Sequence, residues 1–183
     1  MGAATDTLVE KIGSIPRIYI YLIVVAIFLV PLASPIGLPA VVTPETLDYY
    51  NTIEKVPKGG VVVFFVVDTT LGDIVPNEVA TLRHLFRRAI NDKVRVILIG
   101  QLAIDMCFGI MGYPDKEPFT KMTYGVDWVR FQPILGGEAP RFAYTKDIWT
   151  ITPVDASGTP VSKIPLMTNV KSQADIDLAI DST

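Results

Sequence analysis

Val61-Val62-Val63-Phe64-Phe65-Val66-Val67 precedes a longer mixed stretch over residues 76–90, and Val94-Arg95-Val96-Ile97-Leu98-Ile99 follows it. The first run is apolar at consecutive positions, without alternation. That pattern suits a strand covered on both faces. In the middle stretch Val79, Leu82, Leu85, Phe86, Ala89 and Ile90 recur at helical spacing, while Arg83, Arg87 and Arg88 lie off that stripe. Asn91-Asp92 reads as the break before a second buried strand. Strand, amphipathic helix and strand make a βαβ unit, which implies a parallel pair joined by a right-handed crossover.

Working outward, residues 101–111 read as a second helix and residues 112–118 as a loop. Val126-Asp127-Trp128-Val129-Arg130-Phe131 reads as a third strand, closed by Pro133 and Gly136-Gly137. A helix is expected over 138–150, a turn at Ser157-Gly158-Thr159-Pro160, and a late strand over 176–180. Upstream, residues 43–54 read as a short helix, with Thr43 as N-cap and Pro44 at the first helical position. Asp68-Thr69-Thr70-Leu71-Gly72-Asp73 reads as a polar turn after the first strand. The expected fold class is α/β: an N-terminal transmembrane helix, then a Rossmann-like three-layer domain on a mainly parallel sheet. A tail covers 1–17, an anchor with a Pro-containing linker 18–42, and the domain 43–183. The chain stops where such a fold adds a covering helix, so either a fragment or a partner over the open side is expected.

The N-terminal expectation rests on an uncharged run that begins at Ile18, after Arg17, with the next charge at Glu45. From Ile18 to Leu38 is about 21 residues, or roughly 31 Å as helix, close to the hydrocarbon thickness of a bilayer. A cleaved signal peptide fits poorly, because Pro31 and Pro35 crowd the small-residue site. A buried core helix stays open as an alternative, since Pro31 leaves only about 13 unbroken residues. The anchor is favoured because a membrane helix tolerates a proline kink, and because Tyr19 and Tyr21, next to Arg17, suit the headgroup interface. Lys11 and Arg17 lie before the run, Glu45 and Asp48 after it. This bias favours a single-pass protein with its main domain extracytoplasmic.

The chain of 183 residues carries 19 acidic and 16 basic side chains, a net charge of −3. No clustered positive field is evident, which argues against nucleic acid as a partner. One Cys and one His give no thiolate–imidazole metal cluster and no internal disulfide. No cofactor motif is present: Gly136-Gly137 lies in neither G-x-G-x-x-G nor G-x-x-x-x-G-K-[ST]. In open parallel sheets ligands gather beyond the C-terminal strand ends. That rule selects Asp68, Thr70, Gln101 and Glu138 as a candidate ligand site, against a bland reading in which Asp68, Thr69 and Thr70 cap the turn and Glu138 satisfies a helix dipole. His84 lacks an identifiable orienting carboxylate and nucleophile, and its neighbouring arginines read as a solvated face. Cys107 reads as a buried thiol.

Tyr49-Tyr50-Asn51-Thr52-Ile53-Glu54, Thr81-Leu82-Arg83-His84-Leu85-Phe86 and Gly136-Gly137-Glu138-Ala139 resemble segments of a group of uncharacterised prokaryotic membrane proteins. Those proteins combine an N-terminal anchor with a Rossmann-like α/β domain. The resemblance implies no assigned activity and carries over no catalytic residue, and this chain ends earlier than such proteins. The leading expectation is a non-catalytic, membrane-anchored subunit whose partners are the lipid bilayer and other membrane protein subunits. The alternatives are a membrane-tethered ligand-binding or sensory domain and, behind it, a hydrolase or transferase using the same carboxylates.

Overall fold

The computed structural model describes residues 16–33, 42–66, 71–132 and 151–181. They belong to two compact units, Met1–Thr43 and Pro44–Thr183.

In the first unit, helix α1 (Arg17–Ala33) is 17 residues long, about 25 Å at about 1.5 Å per residue. It runs on through Pro31, which falls in its last turn and so does not cut the helix at Val30. Its described side chains are all exposed, the large apolar ones from 44% at Ile20 and Val24 to 73% at Phe28. No helix among the described residues is long and apolar enough to cross a membrane.

In the second unit, α2 (Pro44–Glu54) leads into β1 (Val61–Phe65), and α3 (Leu71–Asp92) into β2 (Arg95–Ile99). Helix α4 (Leu102–Met111), β3 (Trp128–Phe131) and β4 (Leu178–Asp181) complete the regular elements. The four strands form one parallel sheet in the order β3-β2-β1-β4, with Val63 beside Ile97 on one side and Ala179 on the other. All-parallel pairing in this order makes the domain a Rossmann-like α/β fold. The expected βαβ unit is present as β1-α3-β2.

Strand geometry divides the core, because successive side chains point to opposite faces. Val62 and Phe64 join Val96, Leu98, Trp128 and Ile180 against Leu82, Phe86, Ile104, Cys107 and Phe108 of α3 and α4. Val61, Val63 and Phe65 join Ile97, Ile99, Val129 and Phe131 on the other face. That face is covered by Val161, Ile164, Leu166, Met167 and Val170, carried on or directly after two 3₁₀ turns, Val161–Lys163 and Pro165–Asn169. This cover comes before β4 in the chain. Leu166 N–H donates to the Gly125 carbonyl at 2.8 Å and Ala156 N–H to the Arg130 carbonyl at 2.9 Å, which tie this layer to the β3 edge.

Two boundaries differ from the sequence reading. Helix α3 starts at Leu71, so residues 71–73 are helical and Pro76 lies inside the helix. Proline is commonest at the first helical position, which made it look like the start. The break at Asn91-Asp92 is absent as well. Asp92 stays helical, where Arg88 Nε lies 2.7 Å from its Oδ2 and Gly59 N–H donates to its carbonyl at 2.9 Å. The chain turns at Lys93, which has a φ of 58°. The helix expected over 138–150 lies outside the described residues.

Phe86 is fully buried, with ring centroids of Phe119 at 5.5 Å, Trp128 at 6.0 Å and Phe108 at 6.3 Å. Phe86→Ala is expected to lower unfolding free energy by about 3–5 kcal/mol. Urea denaturation followed by circular dichroism checks this; a loss under about 1 kcal/mol would contradict so central a place for the ring.

Candidate functional site

The chain steps from β1 to β2 to β3 and then returns across β1 to β4, so the sheet's switch point lies between β1 and β4. Of the four residues selected at the strand ends, Asp68, Thr70 and Glu138 lie outside the described residues. Gln101 is exposed just before α4, and its side chain makes no cap to that helix. Its carbonyl accepts from Arg130 Nη2 at 2.9 Å. Gly100 before it is a close approach: a Cβ there would sit 3.0 Å from the Val66 carbonyl oxygen and 2.9 Å from Ile104 Cδ1. Arg17, Tyr19 and Tyr21 occupy the first turns of α1, all exposed.

The orienting carboxylate for His84 exists, and it is Glu54. His84 Nε2 lies 2.7 Å from Glu54 Oε1, and the imidazole stacks on Tyr50 at 4.4 Å between centroids. Arg87 Nη2 donates to the same Oε1 at 2.7 Å and to Tyr50 OH at 3.0 Å, while Arg88 Nη1 donates to Glu54 Oε2 at 3.1 Å. Arg88 is buried rather than part of a solvated face. Its Nη1 and Nη2 donate to the Ile53 and Val56 carbonyls at 2.8 and 2.6 Å. Its Nε faces Asp92 off the N–H direction, so that contact is an ion pair without a hydrogen bond. Such an arrangement fastens the end of α2 to α3. Among the described residues His84 has Glu54 as its hydrogen-bond partner, and it shares a cavity with the hydroxyl groups of Thr46, Tyr49 and Thr81.

The hydrogen bond with His84, joined by the charge of Arg88, outweighs partial desolvation and holds the Glu54 carboxyl below its usual range. A carboxylate lowered on folding adds stability above its unfolded pKa of about 4.3, and that stability is lost as pH falls through the folded value. Glu54→Gln is therefore expected to be less stable than wild type at pH 7, with the gap closing between about pH 5 and pH 3. Urea midpoints across that range check it; a gap independent of pH would contradict it.

A second cluster lies at the β3 edge. Asp105, Phe108 and Gly109 of α4, Tyr113, Tyr124, Trp128, Arg130, Ala156 and Ser157 line a cavity of about 580 Å³. Arg130 is fully engaged: Nε donates to the Gly100 carbonyl at 3.2 Å, Nη2 to Gln101 O, and both terminal nitrogens to the Asp105 carboxylate. Tyr124 OH donates to Asp155 Oδ2 at 2.7 Å. Burial first, and then that carboxylate, push the phenol far above its usual range. Burial alone would raise Asp155, but hydrogen bonds from Ser157, Tyr124 and Thr159 outweigh it and keep the carboxyl low. Both groups thus keep their neutral-pH forms, phenol donating and carboxylate accepting.

Cys107 is buried with Sγ 3.7 Å from Glu78 Oε2, and burial, followed by the Glu78 charge, pushes the thiol up to about 12. Such a thiol is no nucleophile near neutral pH. The described residues hold no group of three or more His, Cys, Asp or Glu able to bind a metal. Neither the Glu54 pairing nor the Asp105 pairing was anticipated from the sequence. No known family, curated protein or solved structure matches the chain.

Proposed function

We propose that this protein is a non-catalytic, membrane-anchored subunit of a larger membrane complex, with α1 in the hydrocarbon and the α/β domain at the membrane surface. The observation that carries the reading is α1 itself. Ile, Val, Leu and Phe side chains stand exposed along its described length, and no polar face is left for water. A helix apolar all round is stable only inside protein or lipid. At about 25 Å it is roughly 5 Å short of the hydrocarbon core, a mismatch that local thinning and a snorkelling Arg17 accommodate. Lys11 and Arg17 ahead of the helix favour an extracytoplasmic domain. The resemblance to anchored α/β proteins points the same way. The binding of Glu54 by His84, Arg87 and Arg88 fastens α2 to α3, a structural use of the one histidine that supports a non-catalytic role.

The full chain is expected in the membrane fraction, resistant to alkaline carbonate, and in mild detergent in a species larger than its own 20.1 kDa with proteins bound. Val24→Asp with Phe28→Asp costs about 5–7 kcal/mol in the apolar core and is expected to release the chain. A wild-type chain extracted by carbonate would sink the anchor, and a stable monomer with no companions would sink the complex. A tethered ligand-binding domain is a second reading, favoured by the aromatic-lined cavity beside Arg130.

A further inference from the structure

We propose that the cavity between α4 and β3 binds a small methylated ammonium, surrounded by the rings of Tyr113, Tyr124 and Trp128, with Asp105 opposing its charge. The inference rests on the ligand-binding reading of the domain and is independent of anchoring.

The rings set the shape. All three line the cavity, Trp128 only 3% exposed and Tyr113 and Tyr124 48% and 37% exposed. Tyr113 lies at 89° to Trp128 with centroids 6.1 Å apart, and Tyr124 at 84° and 4.8 Å. A flat ligand finds one stacking plane in such a set, whereas a compact cation meets several rings at once.

Charge selects the same occupant. The Arg130 side chain is 15% exposed and its donors are spent on Gly100, Gln101 and Asp105, but that of Asp105 is 56% exposed. The charge shown outward is therefore the carboxylate. Asp155 behind Tyr124 draws on the phenol proton and enriches the ring that a cation would meet. Methylation follows from the acceptors. A primary ammonium brings three donors, whereas Asp155 is taken by Tyr124, Ser157 and Thr159. Each Asp105 oxygen already accepts once from Arg130, which leaves Asp105 to oppose charge rather than to accept three further hydrogen bonds. A methylated nitrogen makes smaller demands and is the usual guest of aromatic surrounds.

Gly109 is the fourth observation. Glycine within a helix costs about 0.5–1 kcal/mol relative to alanine. Nothing here demands it sterically, since a Cβ at Gly109 would meet no atom within 4 Å. What its bare Cα does is keep the cavity open.

Choline chloride is the probe, titrated into the full chain in maltoside micelles by calorimetry or saturation-transfer NMR. Saturable binding is expected, at least about tenfold tighter than that of its uncharged isostere 3,3-dimethylbutan-1-ol. Gly109→Leu fills open space and favours the helix, so it is expected to hold or raise the wild-type denaturation midpoint and to lose choline binding. Tyr113→Leu removes an exposed ring and is expected to weaken binding about fivefold or more. Dihexanoylphosphocholine below its micelle concentration distinguishes the source. Competition with bound choline assigns a lipid headgroup and no competition a free ammonium, and either supports the site. No saturable choline binding, equal binding of the isostere, or unchanged binding in both variants would overturn it. A chain that binds choline but leaves the membrane overturns only the anchoring.

Discussion

Five consecutive side chains of β1, Val61 to Phe65, lie out of water, and each neighbouring pair points to opposite faces of the sheet. At about 1.5–3 kcal/mol for each buried side chain, neither face can be left wet. Two covering layers follow from this one constraint. Helices α3 and α4 supply the first, and the 3₁₀-rich segment ahead of β4 supplies the second. The backbone of β1 is satisfied at the same time, because β2 and β4 pair with it on its two sides.

The polar interior follows a second rule, in which a guanidinium from one element donates to the carbonyls at the end of another. The last turn of a helix has carbonyls without intrahelical donors. Arg88 reaches from α3 to the Ile53 carbonyl in the last turn of α2 and to the Val56 carbonyl just beyond it. Arg130 does the same from β3 for Gly100 and Gln101, where β2 passes into α4. In each case a carboxylate completes the guanidinium, Glu54 for Arg88 and Asp105 for Arg130. The two clusters differ in what surrounds them. Glu54 is ringed by cations and Tyr50, with Tyr50, His84 and Arg87 lining a cavity of about 780 Å³, whereas the cavity beside Asp105 is lined by aromatic rings.

Much of the fold was legible because periodicity survives without tertiary context. The unbroken apolar runs of β1 and β2 and the helical stripe of α3 state which surfaces are covered. Pro76 and Asn91-Asp92 misled at the boundaries, since local preference was overruled by packing along the whole stripe and by Arg88 beside Asp92. The second covering layer was illegible for another reason. Val161, Ile164, Leu166, Met167 and Val170 follow neither a period of 2 nor one of 3.6, so no regular element announces them.

The sequence by itself determined the parallel α/β class, the buried thiol and the exceptional apolarity of α1, all of which are local properties of composition and spacing. Tertiary structure alone decided the pairings of Glu54 with His84 and of Asp105 with Arg130, which are 30 and 25 residues apart. It also decided that Tyr113, Tyr124 and Trp128 share one cavity with Gly109. The physical reason is the crossover: a parallel sheet joins strands through intervening helices, so residues meeting at its edge come from separate passes of the chain.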